Sequence, residues 1–500
     1  MKISFENKTL GCYKEVYHQT KAIQETCESV VPDVNDDIGK IASVQSSVYL
    51  KSKDLTGRGV LITGEAAAAV VYVTENEKSV SFVRLTKQFS IEYEIQGIDA
   101  EVLPQLRLDI QNTEARVINP RKLSVTFEIC GELCCYKRGE IAVEAVKSLT
   151  GTELIHSKYN KAQIVCVNSV CEKTFTLSEQ LTFPSGKPAP VQIAMLKVSF
   201  DLNESQSVGS KLIIKGSMNI CVCYLSDEVN YPVKAEFSAP FSQIVDVGVD
   251  NVDSYCTLAE VSSVYYDIIN TINGEKALDA EIHAVLQICT REKREIEYIS
   301  DVYSNIMPAE YSLANQKYSS HTSTEQLKLV ADERISVVED CTDVLSVFSS
   351  ISKLSSMPDK ITAAVNLDIV YRTKSGNLSA TRRSIALTAD CSVPPGRIIS
   401  ATLSDLYLRP DGACIDVHCT LDVKYHCSKE FEIMRVTAVE LDEDKVFDHS
   451  TFPALYLVRA DTNDLWTLAK TYHSSIEKIK SLNAVEGGIC GKLLLIPKSR

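Results

Sequence analysis

The sequence predicts a mainly β protein: three tandem antiparallel repeats, sandwich-like or barrel-like, followed by one small βααβ domain. Three observations carry that prediction. Short apolar runs with period-two alternation, separated by turns such as Lys374-Ser375-Gly376-Asn377, fill the chain up to about residue 445. One constellation of residues recurs at intervals of about 150 residues. Past residue 455 the apolar spacing lengthens from that of a strand to that of a helix.

The first repeat is centred on Val60-Leu61-Ile62-Thr63-Gly64-Glu65, running on to Val70-Val71-Tyr72. The second has Leu212-Ile213-Ile214-Lys215-Gly216-Ser217, running on to Val222-Cys223-Tyr224. The third has Ile361-Thr362-Ala363-Ala364-Val365, then Ile369-Val370-Tyr371. Gly64 and Gly216 stand eight residues before their tyrosines, and Ala363 holds that place in the third copy. Phe89 and Phe241 follow their tyrosines by seventeen. Upstream, Ser29-Val30-Val31-Pro32 and Leu181-Thr182-Phe183-Pro184 lead into each unit, whereas Ile335-Ser336-Val337-Val338 lacks the proline.

Each repeat closes on an alternating strand. Leu123, Val125, Phe127 and Ile129 share a face in the first. Ile415, Val417, Cys419, Leu421, Val423 and Tyr425 do so in the third, with Asp416, His418, Thr420, Asp422 and Lys424 opposite. The expected domains are 1–148, 149–310, 311–445 and 453–500, with linkers near 149–159, 297–318 and 441–445.

The last domain begins with a short apolar strand, Leu455 to Val458. Leu465, Leu468, Ala469 and Tyr472 then mark one helix face, with Asp464 placed to cap it. Ile476, Ile479 and Leu482 mark a second helix, and Ser474-Ser475-Ile476-Glu477 has the spacing of a capping box. Gly487-Gly488 turns the chain into a closing strand, Leu493 to Ile496, which Pro497 ends. Trp466, the only tryptophan, sits in the first helix and is expected in the core rather than as a stacking platform.

This order of residues, with Leu482-Asn483, Gly491 and Ile496-Pro497, resembles a LysM domain. That resemblance implies a groove between two loops that takes N-acetylglucosamine-containing glycans. The groove residues here are Asp461, Thr462, Asn463, Asp464 and Leu465 in one loop, and Asn483, Ala484, Val485, Glu486, Gly487 and Ile489 in the other. The family's Gly-Asp-Thr turn is replaced by Asp461-Thr462-Asn463-Asp464, with no glycine and one extra residue. Loss of the residue that permits a tight turn shifts the expected ligand from glycan to protein, with Leu465, Val485 and Ile489 as an apolar rim.

The three β repeats resemble the SPOCS domain of spore-forming bacteria, and the arrangement with a terminal LysM is similar to a family of spore-coat morphogenetic proteins. The resemblance implies a non-enzymatic adaptor in the mother-cell cytoplasm, recruited to the forespore surface. Its partner would be the stage-IV sporulation ATPase that coats the forespore. The alternative is a binder of peptidoglycan glycan, or the anchor of a cell-wall hydrolase.

Charge and motif content narrow the classes. A net charge of −14 and a pI near 5.2 argue against nucleic acid as a partner. The amino terminus shows no apolar signal segment, and no run is long and apolar enough to span a membrane. Seventeen cysteines, without disulfide-framework spacing, read as reduced thiols. There is no P-loop, no His-Glu-x-x-His and no paired Cys-x-x-Cys, so neither an enzyme, a cofactor nor a metal site is expected. Asp416-x-His418-x-Thr420-x-Asp422 reads as a solvated strand face. Cys221 and Cys223 read as core, and Cys130, Cys134 and Cys135 would need a further ligand from far away to hold a metal.

Overall fold

The computed structural model describes residues 2–75, 79–146, 154–391, 396–448, 450–451, 453–483 and 488–498. Nineteen strands and two α-helices make up the described chain. The first unit holds β1 (Lys2–Ser4), β2 (Glu6–Val30), β3 (Ile38–Thr56), β4 (Gly59–Thr74), β5 (Val80–Glu94), β6 (Leu103–Asn119) and β7 (Lys122–Val146). The second holds β8 (His156–Thr182), β9 (Gln192–Val208), β10 (Lys211–Leu225), β11 (Val233–Asp246), β12 (Ser254–Asn270) and β13 (Lys276–Tyr303). The third holds β14 (Ala309–Ser356), β15 (Lys360–Thr373), β16 (Leu378–Asp390) and β17 (Ile398–Leu441). The C-terminal module is β18 (Leu455–Arg459), α1 (Leu465–Thr471), α2 (Ile476–Leu482) and β19 (Leu493–Pro497). The mainly β fold class expected from the sequence is therefore the observed one.

Each unit sets a three-stranded antiparallel sheet against a long hairpin. In the first, β3-β4-β5 packs over β2, β7 and β6; in the second, β9-β10-β11 packs over β8, β13 and β12. In the third, β14 serves both sheets: its first part pairs β17 and its later part pairs β15. The other two units break at the matching point, where Pro32 and Pro184 stand. Proline cannot donate to a ladder, so its absence from 335–338 lets the strand run through.

The core repeats residue for residue. Tyr72, Tyr224 and Tyr371 are fully buried. The Tyr72 hydroxyl donates to the Asp36 carbonyl at 3.0 Å and that of Tyr224 to the Pro188 carbonyl at 2.9 Å, both 36 residues upstream. Gly64 lies opposite Phe89, and Gly216 opposite Phe241. A Cβ on Gly64 would come within 2.4 Å of the Phe89 ring, and one on Gly216 within 2.3 Å of the Asp201 carbonyl oxygen. In the third unit the matching pair is Ala363 opposite Leu387, a side chain gained on one strand as the ring is lost from the other.

The central strands are buried on both faces, which is why Val70-Val71-Tyr72-Val73 reads as an unbroken apolar run. Their outer faces meet between units, where Ala69, Val71, Ala194, Cys223, Phe348 and Val370 form a shared core. Buried polar groups bolt the units together. Gln287 accepts from Lys53 and from the Leu106 N–H, both at 2.7 Å. Asp368 accepts from the Val44 N–H at 2.8 Å and pairs with Arg382 at 3.0 Å.

The long hairpins continue past the sandwiches as a second shared region, where Cys12, Ile164, Ile296, Tyr318 and Ile433 pack together. This corrects the linker expected near 297–318: β13 runs to Tyr303 and β14 starts at Ala309, leaving only 304–308 unpaired. Those residues spend their apolar faces on neighbouring units rather than on a sandwich of their own. The N-terminal β1 closes the ring of units by pairing with β17, Ile3 lying opposite Val439.

Candidate functional site

The C-terminal module is built as its periodicity requires. Asp464 caps α1, its carboxylate accepting from the Trp466 N–H at 3.0 Å and the Thr467 hydroxyl at 2.8 Å. The cap of α2 is Ser475, one residue later than the spacing suggests. Ser474 is engaged elsewhere: its hydroxyl donates to the Pro497 carbonyl and its own carbonyl accepts from Tyr303. Trp466, Ala469, Ile479 and Ile496 form a small core, and Trp466 is 8% exposed, inside as expected.

That core is completed by another part of the chain. Tyr303, at the end of β13, packs into it edge-on to Trp466 with ring centroids 4.8 Å apart, and its hydroxyl donates to the Ser474 carbonyl at 2.9 Å. Asp301 accepts from the Trp466 indole at 2.8 Å and from Lys470 at 2.6 Å. Lys158 lies 3.4 Å from the Asp464 carboxylate, and Phe447 packs on His473. Burial works to raise the Asp301 carboxyl, but the bonds from Lys470 and Trp466 outweigh it and hold the group below its ordinary value. Asp464 is likewise held low, burial being outweighed by Thr467, the Trp466 N–H and Lys158.

The residues expected to line the groove separate into two groups. Asp461, Thr462 and Asn463 are exposed, with Asp464 half-buried beside them. Ile489 is buried in a second apolar cluster with Ala460 and Leu494, and Leu465 packs against it half-buried. Ala484, Val485, Glu486 and Gly487 lie outside the described residues. Asn483 turns inward, its side-chain amide donating to the Leu495 carbonyl and accepting from the Leu495 N–H. The two loops are tied to each other: the Asn463 side-chain oxygen accepts from the Ile489 N–H at 2.8 Å and the Cys490 N–H at 2.9 Å.

Sequence reasoning missed Asp301, Tyr303 and Lys158. Asp301 is 165 residues from Trp466, and no local pattern marks it. The apolar surface it also missed is on the two-stranded sheet, where Leu455, Leu457, Leu493 and Leu495 are exposed. They alternate with the inward Val458, Leu494 and Ile496, so the leucines form one outward face.

Two further features carry chemistry. A cavity of about 410 Å³ lies between the units, walled among others by Tyr49, Glu260, Phe348 and Arg382. Burial, with Asp109 adding to it, pushes the Glu260 carboxyl up to about 8. On β2 and β7, Glu15, His18 and Cys134 bring metal-ligating atoms within 4.8 Å of one another. The strand face of Asp416, His418 and Thr420 is a network of surface pairs, His418 lying 2.6 Å from Asp332.

Among the described residues no helix is long and apolar enough to cross a membrane. The fold defines a class: tandem β units locked to one another, with a small helical module seated on them. Segments 37–118 and 191–269 match the family model described as SipL, SPOCS domain. They take in β3–β5 with most of β6, and β9–β11 with most of β12, about a third of the chain. No curated protein and no solved structure matches the chain. The chain is thus SipL-like over two of its units and related to sporulation.

Proposed function

We propose that this protein is a non-enzymatic adaptor in spore-envelope assembly, acting in the mother cell at the forespore surface. The match of 37–118 and 191–269 to the SPOCS family carries that reading. The third unit, with the same sheet pairing, serves as a further SPOCS-like domain, and the C-terminal module as a LysM domain. The partner is the stage-IV coat ATPase.

Protein docking is favoured over glycan binding by one local observation. Asn463 bonds the groove's two loops to each other, so backbone groups that would face a sugar are already engaged. The outward leucines of β18 and β19 give a protein partner an apolar centre, and Asp461 and Thr462 a polar margin.

Calorimetry of the full chain with the purified ATPase, and separately with N-acetylglucosamine oligomers, tests this. Binding to the ATPase is expected, with Leu457→Asp or Leu495→Asp weakening it by about 1–3 kcal/mol. Micromolar binding to the oligomer, with none to the ATPase, would reverse the reading to a glycan binder.

A further inference from the structure

We propose that Glu15, His18 and Cys134 form a zinc-binding site on the first unit. β2 and β7 are antiparallel with His18 directly opposite Cys134, so both side chains leave the same face. Glu15 is three residues from His18, which on a regular strand would send it to the opposite face. The ladder slips between Glu15 and Tyr17, Val16 being the extra residue, and this bulge turns Glu15 back beside His18.

The result is one thiol, one imidazole and one carboxylate, with all three donor atoms inside 4.8 Å of one another. The His18 Nδ1 lies 3.7 Å from a Glu15 oxygen. Its other nitrogen, Nε2, lies 3.0 Å from Glu132, which in turn faces Arg397 of the third unit at 3.6 Å. A carboxylate on the second ring nitrogen is what fixes the tautomer and orientation of a metal-binding histidine.

The donor set decides the ion. Zinc takes sulfur, nitrogen and carboxylate oxygen together at about 2.0–2.3 Å, whereas magnesium and calcium take oxygen alone. Cys134 is 2% exposed and forms the floor, while Glu15 and His18 stand open to solvent, so an ion enters from outside and solvent completes its shell. Bound there, it would clip the first long strand to its partner beside the contact with the third unit.

The full-length chain, stripped of metal and reduced, is titrated with cobalt(II) and then zinc. A thiolate-to-cobalt charge-transfer absorption is expected, bleached by one equivalent of zinc. Cys134→Ser and His18→Asn should abolish that absorption and lower zinc affinity at least a hundredfold, and Glu132→Gln should lower it about tenfold. Cys490→Ser, which removes an exposed thiol elsewhere, should change nothing. His18 is at the surface, so His18→Asn keeps the test valid if Cys134→Ser fails to fold. Absence of the absorption in the unaltered chain, or its persistence in His18→Asn, would overturn the site.

Discussion

The β units and the C-terminal module solve the same problem in different ways. Each β unit closes its own core with strands from within its repeat: the second alone buries Leu212, Ile214, Tyr224, Phe241, Leu278 and Ile282, among others. The module buries only a handful of side chains and borrows Tyr303 from β13 to finish the set. Two-stranded sheets and seven-residue helices are each marginal alone. The module's order therefore depends on where it sits, whereas each unit holds a core of its own beside those it shares with its neighbours.

The largest effect should come from removing the borrowed ring. Tyr303→Ala is expected to cost the seated module about 3 kcal/mol and to red-shift Trp466 emission, leaving the main melting transition of the β units in place. If the tryptophan spectrum stays that of the native chain, the module is self-sufficient and the contrast collapses. The fragment 453–500 should show the same red shift.

A middle-sized effect tests the units themselves. Gly64→Ala drives a methyl group into the Phe89 ring and should destabilise the first unit by about 2 kcal/mol. Adding Phe89→Leu reproduces the Ala363–Leu387 pair of the third unit and should restore part of the loss, the rest staying with the Tyr49 carbonyl oxygen, 2.8 Å from the new methyl group. Thermal denaturation of the single and double variants decides this. A double variant as unstable as the single one would show that the units do not share a packing rule.

The smallest effect concerns the charged part of the seat. Asp301→Asn, which weakens the bond to Lys470, should cost about 1 kcal/mol. Because the Asp301 carboxyl is held below its ordinary value of 3.8, its contribution is fully present above that value and is lost as pH falls through its lower folded value. Trp466 fluorescence followed from pH 6 down to 2 should report release of the module at the acid end, earlier in Asp301→Asn. An acid transition identical in both proteins would remove Asp301 from the account.

Much of the fold was legible because it is local. Alternation placed Leu123 to Ile129 and Ile415 to Tyr425 on buried faces, and the proline missing from 335–338 was visible too, although its consequence, the continuous β14, showed only in the structure. His426 shows where that logic stops. Alternation points it outward with Asp422 and Lys424, yet it is buried, close to Arg291 of the second unit and Arg397 of its own, while Tyr425 and Cys427 beside it still face the third unit's core. The seat of the module was hidden for the same reason: Asp301 and Tyr303 look like ordinary strand residues until the chain returns to them. The bulge at Val16 was also invisible, since an extra residue in one strand shows only against its partner.

The pairing of β1 with β17 gives the molecule a direction in time. Residues 2–4 are made long before their ladder partners, 438–440, which follow three whole units. Ile3 and Phe5, buried in the finished protein against Val436, Val439 and Leu441, must stay in water or in temporary company throughout synthesis. Such a contact has nearly the greatest sequence separation the chain allows, so it forms late and seals what has already folded. Residues 2–5 are thus the clasp of the assembly, and a chain cut short before β17 leaves it open.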